Sequence, residues 1–167
     1  MRFGSTYDSP SCDPAGSADG GAPGDRAGLS TDYLNHYSEI LMLIEMASFD
    51  EDAVADLSGW QPVDYRAYFE RSPLRRAASA LAAYEALAPQ RRTGFEQTVE
   101  ALDKLAAAAI LALQPPCHAP NRVLIGEVIG PAIRRLIDRC AAFLNSDGAV
   151  LCEDADELQA IIDRMIA

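Results

Sequence analysis

The sequence is poor in aromatic residues, in histidine and in the residues that build β-sheets. Only 7% of its 167 residues are Phe, Trp or Tyr, although 49% are hydrophobic. Ala and Leu supply most of this apolar content, which suits closely packed helices better than a sheet, because sheets use β-branched and aromatic residues. The two histidines leave few pairings of a nucleophile with an imidazole base. These shortages favour an all-α protein and narrow the range of catalytic sites.

No apolar segment is long enough to cross a membrane. The longest unbroken apolar run, residues 105–113, falls well short of the roughly 20 residues that a bilayer requires. No secretory leader is evident, so we expect a cytoplasmic protein with reduced cysteines. The cysteines lie far apart in the sequence, and none has the C-x-x-C spacing. They are Cys12, Cys117, Cys140 and Cys152.

Basic residues are outnumbered, and the formal net charge is −11. This charge argues against nucleic acid or an anionic membrane as the main partner, because phosphate binding needs a basic surface. Acidic residues dominate positions 33–70, whereas basic residues dominate positions 71–122. We expect neighbouring helices to neutralise each other, although the same polarity would also suit a partner protein.

A long amphipathic helix gives the strongest signal in the chain. Its apolar positions recur at steps of four and three, which places them on one face of a helix with about 3.6 residues per turn. They are Phe95, Val99, Leu102, Ala106, Ala109 and Leu113. The two alanines would let another helix, or a second copy of the chain, approach closely. A homodimer is therefore a reasonable assembly.

Prolines and capping residues divide residues 31–167 into about six or seven helices of one domain. Residues 1–30 are rich in Gly, Ser, Asp and Pro, which predicts a disordered tail. The helices are predicted at 31–47, 50–58, 62–71, 74–87, 89–114, 121–145 and 153–166. Pro131 is expected to kink or break the sixth helix. The Gly126-x-x-x-Gly130 spacing is interpreted as loosening this segment, in preference to a close helix contact.

His36 is the first candidate for a specific chemistry. A histidine on a bundle helix can carry a phosphoryl group or ligate a metal. The helical plot places His36 within the apolar arc of the first helix, so we interpret it as a core or boundary residue. The sequence has no Glu-x-x-His pair, zinc-ligand spacing or phosphate loop, and it therefore predicts no metal site and no cofactor.

Two groups of residues are predicted to bind a protein partner. The first is aromatic and either anchors an interface or fixes short helices to the core, the latter being favoured. The second is a set of arginines, for which pairing with acids at 50–56 is the simpler role. The aromatic residues are Trp60, Tyr65, Tyr68 and Phe69; the arginines are Arg71, Arg75, Arg76, Arg91 and Arg92.

The absence of catalytic motifs and the presence of these surfaces favour a small non-enzymatic protein that acts through protein–protein interaction. Two alternatives remain open at this point. One is a histidine phosphotransfer module that uses His36. The other is a helical enzyme with a pocket that no linear motif reveals.

Overall fold

The structure, a computed structural model, describes residues 28–152. Within that range the chain is helical, as predicted, and the all-α fold class is confirmed. A 3-10 helix, Thr31–Leu34, precedes α1 (Asn35–Ala47), α2 (Asp52–Leu57), α3 (Tyr65–Glu70), α4 (Ala77–Glu85), α5 (Pro89–Leu113) and α6 (Ala119–Asn145). The predicted last helix and nearly all of the predicted tail lie outside the described residues.

The two longest helices form the centre of the fold. Residues 114–118 join α5 to α6, and the two helices pack along each other while α1 packs on both. A connector this short makes successive helices antiparallel neighbours. The apolar face predicted on α5 is confirmed, since its six side chains are at most 7% exposed. Because Ala106 and Ala109 are fully buried within the chain, the argument for a homodimer from this face is wrong.

α6 approaches α1 closely at Gly126. A Cβ atom added at Gly126 would overlap the hydroxyl of Ser48, just beyond the end of α1. A Cβ atom at Gly130 would instead meet Glu45 and Leu41 at ordinary distances of 3.7–3.9 Å. The sequence favoured a loosened segment here, but the structure shows a helix contact that depends on the missing side chain of Gly126.

The break expected at Pro131 does not occur, and α6 is one helix of 27 residues. Pro131 removes one backbone hydrogen bond, the one that the carbonyl of residue 127 would accept. Pro131 is exposed, so water can satisfy that carbonyl, while Ile129 and Ile133 on either side are buried. Core packing therefore holds the helix together across the proline. None of the described helices is both long and apolar enough to cross a membrane.

The starts of the short helices follow local capping. α3 begins after Asp64, whose carboxylate accepts a hydrogen bond from the N–H of Ala67 at 2.8 Å, and not at Pro62 as predicted. α2 begins at Asp52, and its N-cap residue is Glu51, which makes no side-chain cap hydrogen bond, and not Asp50 as predicted. The Asp50 carboxylate does accept a hydrogen bond from the N–H of Asp52 at 3.0 Å. α4 begins three residues later than predicted and α6 two residues earlier.

Residues 28–30, which the sequence analysis assigned to the tail, are packed against the helices. The Ser30 hydroxyl accepts a hydrogen bond from the N–H of Asp32 at 3.2 Å and caps the 3-10 helix. The N–H of Ser30 donates to the Tyr65 hydroxyl at 2.8 Å, and the N–H of Leu29 donates to Asp147 at 2.9 Å. These three residues are therefore part of the packed structure.

Candidate binding cleft

A cleft of about 550 Å³ opens between α3, α4 and α5. Its floor consists of side chains that are at most 7% exposed, and its rim is charged. The floor residues are Tyr65, Tyr84, Phe95 and Val99, and the rim residues are Asp64, Arg66, Arg92, Glu96, Glu100 and Asp103. An apolar floor with a few polar groups at the rim is the usual composition of a binding site.

The cleft exists because α5 is much longer than the helices beside it. Arg92, Glu96, Val99 and Asp103 follow one another at steps of four, three and four, so they share one face of α5. α3 has 6 residues and α4 has 9, against 25 in α5. Tyr65 of α3 and Tyr84 of α4 pack on Phe95 near the start of α5, and the polar strip that continues along α5 is left open.

The floor is a set of contacting aromatic rings. Tyr65 stacks on Tyr84 with ring centroids 4.7 Å apart, and Phe95 packs edge-on against Tyr65 at 5.9 Å. The Tyr84 hydroxyl donates a hydrogen bond to the Glu96 carboxylate at 2.7 Å. Burial raises the pKa of Tyr65 to about 12, and burial together with Glu96 raises the pKa of Tyr84. Both phenols are therefore neutral near pH 7, and the Tyr84 hydroxyl fixes one oxygen of Glu96.

A chain of hydroxyl groups runs from the cleft into the core. The Asp103 carboxyl lies 2.7 Å from the Tyr37 hydroxyl, which lies 3.2 Å from the Tyr33 hydroxyl. The Tyr33 hydroxyl is 2.8 Å from the carbonyl oxygen of Val63. Tyr33 and Tyr37 are fully buried. Protonation of Asp103 is thus linked to hydrogen bonding inside the core.

The number of protons shared along the chain of hydroxyl groups depends on whether Asp103 is ionised. With Asp103 ionised, Tyr37 donates to the carboxylate and Tyr33 donates to Val63. Neither hydroxyl then has a proton left to donate to the other. With Asp103 protonated, Asp103 donates to Tyr37, Tyr37 to Tyr33 and Tyr33 to Val63, so every contact holds one. Burial raises the pKa of Asp103, and the charge of Glu100 adds to this, while the hydrogen bond from Tyr37 opposes it.

The rim of the cleft carries an excess of negative charge. Arg66 is paired with Glu85 at 3.1 Å, and Glu100 is paired with Lys104 at 2.8 Å. Exposed pairs of this kind contribute at most about 1 kcal/mol each. Arg92 is the remaining cation of the rim. Three carboxylates of the rim therefore face a single positive charge. They are Asp64, Glu96 and Asp103.

The cleft offers groups for binding a cation and for proton transfer. Among the described residues, its lining includes no serine, cysteine, histidine or lysine, which are the usual nucleophiles of covalent catalysis. Within residues 28–152, no three His, Cys, Asp or Glu side chains are placed to hold a metal ion. The chemistry present is therefore that of carboxylates above aromatic rings.

The aromatic residues predicted to bind a partner support the core more than they form a surface. Tyr65 and Phe69 are each 2% exposed, so Phe69 has no face for a partner and Tyr65 contributes only to the cleft floor. Tyr68 is half-buried and donates a hydrogen bond to the carbonyl of Asp32 at 2.9 Å. Trp60 is half-buried and donates to the carbonyl of His36 at 3.4 Å.

His36 is partly buried against its neighbours. Its ring stacks on Trp60 with centroids 4.8 Å apart, and its Nε2 atom is buried without a hydrogen-bond partner in the described part of the chain. Burial lowers the pKa of His36, and the backbone of Gln61 partly opposes this shift. The neutral ring therefore serves as a packing surface, and its position gives no support to phosphoryl transfer.

The five predicted arginines do not pair with the acids at 50–56. Among the described residues, Glu51 pairs with Arg122 of α6 at 3.7 Å, so α6 supplies part of the expected neutralisation. Arg91 donates a hydrogen bond to the carbonyl of Gly148, and Arg92 lies in the rim of the cleft. The remaining three are exposed, and none has a carboxylate partner within residues 28–152. They are Arg71, Arg75 and Arg76.

The sequence analysis missed the acidic side of the cleft. Glu96 and Asp103 lie beside the apolar stripe of α5, where charged residues normally face water. One signal was present: the two residues are seven positions apart, which is two helical turns, and therefore line up on one face. Only the packing of α3 and α4 shows that this face borders a cleft.

Comparisons of this chain with protein families, with curated proteins and with solved structures find no match.

Proposed function

We propose that this protein acts non-enzymatically, in the cytoplasm, by binding a basic segment of a partner protein in the cleft between α3, α4 and α5. The observation that carries the proposal is the half-buried Asp103 carboxyl, which lies on the same face of α5 as Glu96 and borders a floor of tyrosine and phenylalanine rings. A lysine or arginine side chain would place its charge at one of these carboxylates and its alkyl stem on the rings. Cation–π attraction to the rings adds to this contact.

A bound cation would also relieve the cost of ionising Asp103. Burial disfavours the charged carboxylate in the free protein, and a positive charge placed beside it favours that form. Binding is therefore coupled to release of a proton from Asp103. We expect the affinity for a basic segment to rise as the pH rises through the raised pKa of Asp103.

The length of the cleft favours a polypeptide over a small cation. Its lining on α5 runs from Arg92 to Asp103, and a helix rises about 16 Å between these two positions. A single side chain or a small amine spans only part of that distance. Arg92 at one end would meet an acidic residue or the peptide carboxylate, which gives the bound segment a direction.

Binding of a lysine-rich peptide tests the proposal. Fluorescence anisotropy would compare a labelled peptide containing several lysines with the same peptide after acetylation of every lysine. Glu96→Gln removes a charge and keeps an acceptor for the Tyr84 hydroxyl, so we expect it to weaken binding roughly tenfold, or about 1.4 kcal/mol. Glu127→Gln on the exposed side of α6 is the matched control and should bind as the parent chain does.

Three results would contradict the proposal. Equal binding of the acetylated peptide would show that positive charge is not recognised. Equal loss of affinity in Glu96→Gln and Glu127→Gln would show that the peptide responds to the net charge of the protein and not to the cleft. Tight binding of free spermidine, with no gain from a peptide, would assign the cleft to a small polycation instead.

An apolar stripe along α1 and the turn after it is the competing surface for a protein partner or a second copy of the chain. Met42 and Met46 on α1 are 52% and 46% exposed, and Phe49, two residues after the end of α1, is 84% exposed. Methionine-rich apolar surfaces adapt to varied partners. The stripe has no feature that identifies its partner, whereas the cleft specifies the charge of its ligand.

A further inference from the structure

The structure brings together two cysteines that the sequence does not place in a C-x-x-C pair. Cys140 lies on α6 and is fully buried, whereas Cys152 follows α6 and is partly exposed. The two thiols lie close enough to influence each other's ionisation. The Cys152 sulfur also lies 3.9 Å from the carbonyl oxygen of Arg139. Both cysteines are in the free thiol form.

A tight turn after α6 returns the chain to this position. Asp147 and Gly148 have positive φ angles of 51° and 76°, which reverse the chain direction. Gly148 is buried, and a Cβ atom there would come within 2.7 Å of the Leu87 side chain, so the turn requires glycine. Arg91 of α5 donates a hydrogen bond to the carbonyl of Gly148. The segment that carries Cys152 is thus fastened at its start.

The surroundings of the two thiols give them different pKa values and different exposure to solvent. Interaction with the Cys140 thiol lowers the pKa of Cys152, and the Thr98 hydroxyl and the charge of Arg139 act in the same direction, although burial opposes them. The same interaction and complete burial raise the pKa of Cys140. Cys152 therefore ionises first, and it is also the thiol that a small molecule can reach. A thiolate is the nucleophilic form of cysteine.

We propose that Cys152 and Cys140 form a dithiol site that is oxidised by a hydroperoxide, with Cys152 as the attacking thiol and Cys140 as the resolving thiol. The proposal concerns a site on α6 and its following segment, and it does not depend on ligand binding in the cleft.

The chemistry proceeds in two balanced steps. The Cys152 thiolate attacks one peroxide oxygen, so an S–O bond forms, the O–O bond breaks, and the alcohol or water that leaves takes up the thiol proton. The Cys140 sulfur then attacks the Cys152 sulfur, so an S–S bond forms, the S–O bond breaks, and water leaves with the proton of Cys140. Two thiols and one hydroperoxide give one disulfide, one alcohol or water, and one further water.

The position of the pair suits this outcome. Two sulfur atoms must approach to about 2.05 Å to form a disulfide. Cys152 lies outside the helix on the return segment, so this segment can supply the movement while α6 stays in place. The product would close a ring over residues 141–151 and tie the return segment to α6.

Peptide mapping by mass spectrometry after peroxide treatment tests the proposal. The full chain carrying Cys12→Ser and Cys117→Ser retains only the proposed pair, and it would receive one equivalent of hydrogen peroxide. We expect the loss of both free thiols, a disulfide between Cys140 and Cys152 within one chain, and full recovery of the thiols with a dithiol reductant. The parent chain should form the same disulfide, which removes any doubt about folding of the variant.

Single substitutions separate the two roles. Cys140→Ala should stop at a sulfenic acid on Cys152, which dimedone traps, whereas Cys152→Ala should leave Cys140 reduced. The proposal is overturned if the parent chain forms no such disulfide, if Cys152 passes to sulfinic acid while Cys140 stays reduced, or if the disulfide links two chains. Faster oxidation of Cys117 than of Cys152 in the parent chain would also overturn it.

Discussion

Replacing Asp103 with asparagine should stabilise the folded protein at neutral pH. The side-chain amide of asparagine can donate to the Tyr37 hydroxyl, which then donates to Tyr33, and Tyr33 to the carbonyl of Val63. Each of the three contacts, at 2.7, 3.2 and 2.8 Å, then holds one proton. With the ionised carboxylate of the parent chain, no proton lies between the hydroxyls of Tyr37 and Tyr33, so that hydrogen bond is missing.

The sign of the effect follows from the pKa of Asp103. Burial raises this pKa in the folded chain, even though the hydrogen bond from Tyr37 opposes the shift. Ionisation is therefore less favourable in the folded chain than in the unfolded chain. The stability contributed by the protonated group is fully present below the pKa of the unfolded chain, and it is lost as the pH rises through the raised pKa of the folded chain.

The expected gain for Asp103→Asn at pH 7 is about 1 kcal/mol, the net value of one additional neutral hydrogen bond. We take no larger value, because Asp103 is only half-buried and water screens part of its charge. At a pH low enough to protonate Asp103 in both states, the variant and the parent chain should be equally stable. The difference between them should therefore grow with pH.

Urea unfolding followed by far-UV circular dichroism, at several values from pH 3 to pH 8, measures this difference. Asp138→Asn, at an exposed position on α6, removes one negative charge outside the hydroxyl chain and controls for net charge. A loss of more than about 1 kcal/mol in Asp103→Asn at pH 7 would refute the reasoning, since it would show that the core requires the charged acceptor.

Three further predictions concern packing. Leu102→Ala on the fully buried face of α5 should cost roughly 2–5 kcal/mol in urea unfolding; a cost below about 0.5 kcal/mol would show that this face is not the core. Gly126→Ala should lower stability by about 1 kcal/mol because its Cβ overlaps the Ser48 hydroxyl, and adding Ser48→Gly should recover most of the loss. Stabilisation by Gly126→Ala alone, as at an uncrowded helix position, would contradict the close contact. Deleting residues 1–30 should lower the midpoint of thermal unfolding relative to deleting residues 1–27, since the Ser30 cap contributes about 1 kcal/mol; equal midpoints would show that the hydrogen bonds of residues 28–30 contribute nothing.

The sequence was sufficient to predict the elements whose signal is local. The stripe on α5 was identified because a buried face of one long helix repeats every three or four residues, and Leu102 and Ala106 are indeed fully buried. The start of α2 was placed within two residues because Asp50 accepts a hydrogen bond from the nearby N–H of Asp52. Such features depend on few atoms outside their own segment.

Features that depend on packing between segments were missed or misjudged. Pro131 lies inside α6 because burial on both sides outweighs one lost hydrogen bond. Gly126 is a close contact only because the end of α1 crosses α6 at that residue. Glu96 and Asp103 have the spacing of a solvated helix face, and the short α3 and α4 turn that face into a cleft.

Chemical-shift mapping of the ¹⁵N-labelled chain with an unlabelled lysine-rich peptide tests the central claim most directly. We predict that the shifted backbone amides cluster on the residues around the cleft, at 64–66 on α3 and 92–103 on α5, and that the acetylated peptide produces none of these shifts. Shifts centred on Met42, Met46 and Phe49, or on the exposed arginines at 71–76, would place the interface elsewhere and contradict a function based on the cleft.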